Sequence, residues 1–352
     1  LKIPRRKLRA GSSPALGTII MKLLITGGAG YIGSQMAYLC QDENINYDIF
    51  DNLSRGKLEN TTSNKVFEGD LLDKKQIIKC LKKSKPDIVL HFAAFAYVAE
   101  SMSHPKDYFR NNVVGTLNLI DSMLDLGIDK IVFSSTCATY GLPKDIPISE
   151  NENQNPINPY GKSKLYIEGI LEDYYHAYNF SSIIFRYFNA AGCDNNKRTG
   201  EDHKPEMRLI PVILQECLRV INGGDPQNTS LKVFGNDYNT EDGSCIRDYI
   251  HVNDLCSAHL TGVKRLYKSS SCFEAYNLSS GQGYSVFEVI DMCKKITGAD
   301  IKYEIKSRRE GDPPNLVGDP KKANSILKWQ THDSSLETIV KTAWEWILSN
   351  EK

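Results

Sequence analysis

Within the run NPYGKSK, Tyr160 and Lys164 stand four residues apart, a spacing that puts both on one face of a helix. A phenol with its ordinary pKa near ~10 is a poor base at neutral pH; an adjacent ammonium stabilises the phenolate and lowers that value. By itself such a pair is the usual dress of an exposed helix face. Two further features favour chemistry. A hydroxyl-rich segment, Ser134-Ser135-Thr136, lies upstream, and the run TGGAGYIGS holds Gly27, Gly30 and Gly33 in the spacing G-x-x-G-x-x-G. Glycines there let the backbone turn tightly and approach a pyrophosphate, which then sits on the partly positive N-terminus of the next helix. Asp51, at the end of the second apolar run, is placed to accept the adenosine ribose hydroxyls and repel a 2′-phosphate. The expected cofactor is therefore NAD rather than NADP, with nearby Arg55 working against that preference.

These residues need a frame to hold them. Short β-branched runs at 22–26, 47–51, 65–69, 87–92, 130–135 and 182–187 predict strands, and amphipathic stretches near 31–43, 73–84, 105–126 and 159–178 predict helices. In the helix over 105–126, Ser103 caps, Pro105 suits the first turn, Val113, Leu117, Ile120 and Leu124 repeat at helical spacing, and Gly127 stops it. Alternating strand and helix predicts an α/β fold, a doubly wound parallel Rossmann sheet. Such sheets bind ligands at the carboxyl ends of their strands, where Asp51, Asp70, Ala93, Thr136 and Asn189 fall. Past Asn189 the chain turns rich in Gly, Asn, Asp and Pro. The expected division is an NAD-binding domain over 21–188, with 249–273 returning to it, and a smaller α/β substrate domain from 189–248 and 274–352. Residues 1–20 read as a leader, disordered or artificial.

The balance of 43 Lys+Arg against 43 Asp+Glu argues against a nucleic-acid protein, which needs surplus cations. No apolar run approaches the ~18 residues of a membrane-spanning helix, so no membrane partner is expected. The nine cysteines contain no Cys-x-x-Cys pair and read as reduced thiols of a cytoplasmic protein, with no disulfide framework and no metal.

The chain resembles the extended short-chain dehydrogenases and, within them, the UDP-glucose 4-epimerase (UDP-galactose 4-epimerase) family closely. The resemblance runs from Met21 to the C-terminus. It is carried by TGGAGYIGS, DNLSRG, FEGD, HFAA, NNVVGT, FSSTCATYG, NPYGKSK, RYFNAAG, GEDHKPE, VFGNDYNTEDGSCIRDYIHVNDL, YNLSSG and RREGDP. It implies 4-epimerisation of a UDP-hexose by transient oxidation at carbon 4 with bound NAD. Tyr160 would be the base, Lys164 would hold the nicotinamide ribose and lower the Tyr160 pKa, and Thr136 would hydrogen-bond the reacting sugar oxygen. Family cofactor contacts carry over to Gly27, Gly30, Tyr31, Ile32, Gly33, Asp51, Asn52, Asp70, Leu71, Phe92, Ala93, Asn111, Tyr160 and Lys164. Those to the nucleotide sugar carry over to Thr136, Tyr160, Tyr187, Asn189, Leu209, Phe234, Arg247, Arg309, Asp312 and Leu316. Independently of the family, Arg247 and Arg309 are forked cations suited to a diphosphate, and Phe234 offers a face for uracil; surface ion pairs and a core position are the plainer alternatives. Tyr166, Ile170, Tyr174 and Tyr178 resemble the family's homodimer face, the alternative being that they cover the protein's own core.

Three positions depart from the family. Ala96 stands where many members have a Lys touching the cofactor, Thr136 replaces a Ser, and Leu316 stands where some have a Tyr lining the sugar pocket. UDP-N-acetylhexosamine and UDP-pentose epimerisation stay open. A nucleotide-sugar 4,6-dehydratase is disfavoured because Cys137 and Ala138 follow Thr136 where dehydratases place Asp-Glu. A non-catalytic NAD-sensing protein is disfavoured because both Tyr160 and Lys164 are present.

Overall fold

The strands β1 (Lys22–Thr26), β2 (Asn46–Asp51), β3 (Val66–Glu68), β4 (Ile88–His91), β5 (Lys130–Thr136) and β6 (Ser181–Tyr187) form where β-branched and aromatic residues cluster. The computed structural model describes residues 21–61, 66–203, 205–309 and 311–351. The leader expected over 1–20, and residue 65 of the expected strand, lie outside them. Between these strands run α1 (Tyr31–Asp42), α2 (Lys74–Ser84), α3 (Val98–Ser103), α4 (Pro105–Tyr108), α5 (Gly115–Asp125) and α6 (Pro159–Tyr178). The second half adds β7 (Asn189–Ala191), α7 (Leu209–Ile221), β8 (Lys232–Phe234), β9 (Ile246–His251), α8 (Val252–Lys268) and β10 (Phe273–Leu278). It ends with β11 (Gly283–Ser285), α9 (Val286–Thr297), β12 (Glu304–Lys306), β13 (Asn315–Leu316) and α10 (Leu336–Asn350).

Seven parallel strands form the large sheet in the order β10-β6-β5-β4-β1-β2-β3. This is the doubly wound Rossmann order extended by one strand, and both faces are covered. One face packs Leu23, Ile25 and Val132 against α1 and α8; the other packs Leu24, Val89 and Phe133 against α2, α5 and α6. Strand order reverses between β1 and β4, so the loops leaving them diverge and leave a crevice above the sheet. A smaller sheet, β11-β9-β13 with β7 beside β9, and the pair β12-β8 build the second lobe with α7, α9 and α10.

Two expectations are corrected. The return to the large sheet spans α8 and β10, from 252 to 278, while β9 belongs to the smaller sheet; β10 pairs in parallel with β6 along its whole length, which apolar patterning cannot reveal. The helix expected over 105–126 runs from Pro105 to Asp125 but carries a π-helical turn over Phe109–Val114, and its cap differs: Ser103 closes α3, and His104 caps α4 without a side-chain bond. The extra residue of a π turn swings its side chains off the regular helical face, and such turns gather at functional sites.

Candidate active site

The strand-to-helix turn after β1 sets one end of the site. A Cβ added at Gly33 would lie 2.1 Å from the Gly27 carbonyl oxygen, so a side chain there would prise the turn open. The N-cap of α1, Gly30, has no side chain to satisfy the first helical N–H groups, and Tyr31, Ile32 and Gly33 face a cavity. Unsatisfied N–H groups at a helix start form an anion cradle. Beside it the Asp51 carboxylate accepts from the amides of Ala29 (2.9 Å) and Leu53 (2.8 Å), bonds that partly offset the upward push of burial on its pKa. This turn, cradle and carboxylate fit a dinucleotide.

The other end is set by α6. Asn158 caps it, its side chain accepting from the Gly161 amide at 2.8 Å, and Pro159 starts the first turn. A Cβ on Gly161 would sit 2.4 Å from the Ala138 carbonyl oxygen; the glycine therefore lets the helix start lie against the turn that follows β5. Tyr160 and Thr136 are brought to the same cavity wall, Tyr160 with its ring edge-on to Tyr108.

The cavity, about 710 Å³, lies between the two lobes and is lined by Gly27, Gly30, Tyr31, Ile32, Gly33, Asp51, Asn52, Leu71, Phe92, Ala93 and Asn111 on the sheet side. Thr136, Tyr160, Tyr187, Asn189, Leu209, Phe234, Arg247, Arg309, Asp312 and Leu316 complete it. Two expected residues do not line it. Asp70 is turned to Asn52, accepting from its amide at 3.2 Å and from the Leu72 N–H at 2.8 Å, so it braces the rim. Lys164 is buried behind the wall, its Nζ donating to the Ser134 carbonyl at 2.8 Å and lying 4.8 Å from the Phe133 ring centre.

Burial disfavours the charged form of both members of the pair: Lys164 is pulled down to about 7, and Tyr160 is pushed above its ordinary value. The Thr136 hydroxyl and the Arg208 guanidinium favour the phenolate, and the Lys164 Nζ is turned to the β5 backbone. On the far wall Arg247 pairs with Asp312, and the Arg309 guanidinium lies 3.9 Å over the Phe234 ring, so that ring face is already taken. Arg55 pairs with Glu100 at 2.6 Å and stacks on Phe95, which draws its charge away from Asp51.

Sequence reasoning missed three features. Arg208, the N-cap residue of α7, lines the cavity, pairs with Glu201 and lies 5.5 Å over the Tyr31 ring. Glu201, His203 and Glu206 present ligand atoms within 4.8 Å of one another on the same rim; GEDHKPE had signalled only family likeness. Buried Asn112, in the π turn, accepts from the Phe95 N–H (2.8 Å) and donates to the Phe95 carbonyl (3.0 Å) and the Ser163 hydroxyl (3.1 Å), tying the loop after β4 to α6. Its only local signal was the Asn111-Asn112 doublet.

Over residues 24–343 the chain matches the protein family described as GDP-mannose 4,6 dehydratase. It is 44% identical over 326 residues to a UDP-glucose 4-epimerase of Halalkalibacterium halodurans, covering 93% of this chain and 95% of that one. It is 41% identical over 348 residues to a probable UDP-arabinose 4-epimerase of Oryza sativa subsp. japonica, covering 95% and 84% respectively. The crystal structure of UDP-glucose 4-epimerase from Brucella ovis in complex with NAD superposes with a TM-score of 0.86 at 41% identity, over 92% of this chain and 98% of that one.

Replacing Asn112 with Ala strips both Phe95 backbone groups of their partner. The Phe95 groups are part-buried, so the expected loss is about 1 kcal/mol per hydrogen bond, read as a lower denaturant midpoint with unchanged slope. An unshifted midpoint would show that the loop holds without Asn112.

Proposed function

The chain belongs to the UDP-glucose 4-epimerase family of extended short-chain dehydrogenases and is an NAD-dependent UDP-sugar 4-epimerase. From that premise we propose that its reaction is reversible inversion of carbon 4 in a UDP-hexose, interconverting UDP-glucose and UDP-galactose. The observation that carries this reading is that Thr136, Tyr160, the α1 cradle and Asp51 line one cavity. NAD, when bound, supplies a reversible hydride acceptor at carbon 4. The cradle of Tyr31, Ile32 and Gly33 would hold its pyrophosphate and Asp51 its adenosine ribose, and Lys164 would reach its nicotinamide ribose only by turning from the Ser134 carbonyl.

Tyr160 takes the proton of the 4-hydroxyl, through or beside the Thr136 hydroxyl, and returns it after inversion. Thr136 and Arg208 stabilise the phenolate that this step requires, against the opposing push of burial and of Tyr187. Arg247 and Arg309 anchor the UDP diphosphate while the 4-keto sugar turns over and presents its other face. The mostly apolar wall of Cys137, Phe188 and Leu316 excludes water from the oxidised sugar. Two wider proposals go with this reading. The nine free, buried thiols support a reducing, cytoplasmic setting. Among the described residues, no helix is long and apolar enough to cross a membrane.

The protein is also proposed to pair with a second copy through α6 and the π turn. Ile170 and Tyr174 pack on their own core, but Tyr166 and Tyr178 are 53% and 50% exposed, and Val114 adds 46%. Sedimentation equilibrium should give a dimer mass; a monomer at micromolar concentration would remove this proposal.

Incubation with UDP-galactose should yield UDP-glucose, resolved by chromatography, and Tyr160→Phe should lower turnover by about 10²–10⁴-fold with UDP affinity nearly unchanged. A Phe variant with the parent's rate would make Tyr160 a wall residue only.

Leu316 is buried against Cys137 and Phe188, next to the reacting end of the cavity. It has less reach than Tyr and carries no hydroxyl, which supports some activity on UDP-N-acetylgalactosamine. Leu316→Tyr should cut that activity far more than activity on UDP-galactose, since overpacking costs about 1–3 kcal/mol. Equal loss on both sugars would show that Leu316 does not sort substrates.

A further inference from the structure

Behind the cavity wall lies a buried polar cluster centred on Glu168. This residue stands one helical turn after Lys164 and two after Tyr160, on the same face of α6. Its carboxylate accepts from the Ser135 hydroxyl, whose residue immediately precedes Thr136 on β5. It also accepts from Arg186, through Nε at 3.0 and 3.2 Å and Nη2 at 2.6 Å; Arg186 immediately precedes Tyr187 on β6. The Gln154 amide donates to it at 3.1 Å. Arg186 is in turn held by the Tyr140 hydroxyl at 3.1 Å and the Gln154 carbonyl at 2.9 Å, and Tyr140 donates to Asn277 at 2.7 Å. One carboxylate thus joins the helix carrying Tyr160 and Lys164 to the two strand ends carrying Thr136 and Tyr187.

We propose that Glu168 is a positioning residue for the reaction: through Ser135 and Arg186 it locks the helix carrying Tyr160 and Lys164 to the strand ends carrying Thr136 and Tyr187. The inference rests on the proposed role of Lys164. Neither charge of the Glu168–Arg186 pair touches the cavity. A buried ion pair is commonly no more stable than a well-packed apolar substitute, so stability alone gives little reason for its presence.

The titratable groups that interact with Lys164 are Glu168 on its own helix and His91 on β4, with Tyr160 one turn back on the same helical face. His91 contributes no charge: bonded to Thr26 and Thr116 and buried, it is held neutral, pulled down to about 3. Glu168 is the carboxylate that opposes the fall of the Lys164 pKa.

The test is the pH dependence of kcat on UDP-galactose, with UDP affinity and thermal unfolding measured beside it. Glu168→Gln removes the charge and keeps the size. Glu168→Gln combined with Arg186→Met removes both charges, so that no uncompensated guanidinium is left buried and the fold is kept. Losing the carboxylate disfavours the ammonium, so the alkaline limb of the profile should move to lower pH by about one unit in both variants. Above that limb kcat should fall about ten-fold, with UDP affinity within about two-fold of the parent. A folded double variant whose limb and kcat match the parent's would overturn the proposal and leave the cluster purely structural. Lys164→Met is the companion measurement: a parental kcat there would overturn the role of Lys164 itself, and this inference with it. A slow Lys164→Met protein beside an unshifted double variant would overturn the inference alone.

Discussion

The first turn of α6 lies against the Ala138 carbonyl, and that contact decides where Tyr160 can be. Gly161 permits the approach, Asn158 caps the helix so that it starts there, and Pro159 sets its direction. Moving the helix start outward by the width of one methyl group would carry Tyr160 away from Thr136, and positioning errors of about 1 Å are expensive in catalysis. The remaining braces converge on the same place. Ser163 donates to the Tyr160 carbonyl at 2.7 Å and accepts from Asn112, which holds the loop after β4.

A sheet that reverses its strand order between β1 and β4 supplies the crevice, and the second lobe closes it. Hydrogen bonds tie the two parts together: Tyr31 donates to the Gly192 carbonyl at 2.6 Å, and the Ser34 and Thr199 hydroxyls meet at 2.6 Å. Residues 187–203, 205–209 and 311–316 lie over the cofactor side of the sheet, and Arg208, Arg247 and Arg309 reach one cavity from distant parts of the chain. With Arg55, four guanidinium groups line the crevice, which suits a ligand pair with two diphosphates.

The electrostatics follow from how dry the wall is. Burial pushes Tyr187 up to about 12 and pulls His259 down to about 4, while Lys164 sits near 7. The protein therefore keeps the buried imidazoles and phenols behind the wall neutral, and the charged groups there are Lys164, Glu168 and Arg186. In such surroundings a single carboxylate has more influence than the same group in water.

Much of this was legible in the residues themselves. The glycine spacing, Asp51 at a strand end, and Tyr160 and Lys164 one turn apart are local patterns, and local patterns follow from backbone geometry over a few residues. The α/β alternation belongs to the same class, and six strands and the helix over 159–178 fall within a residue or two of their expected positions. Other features depended on the assembled chain. Lys164 turns to Ser134, Asp70 turns to Asn52, β10 joins β6, and the 105–126 helix takes a π turn at Asn112. In each case the partner is distant in sequence, and only burial together decides which polar group must be satisfied by which. Periodicity says that a side chain faces inward; it does not say which neighbour waits there, and that neighbour sets both the charge state and the direction of the group.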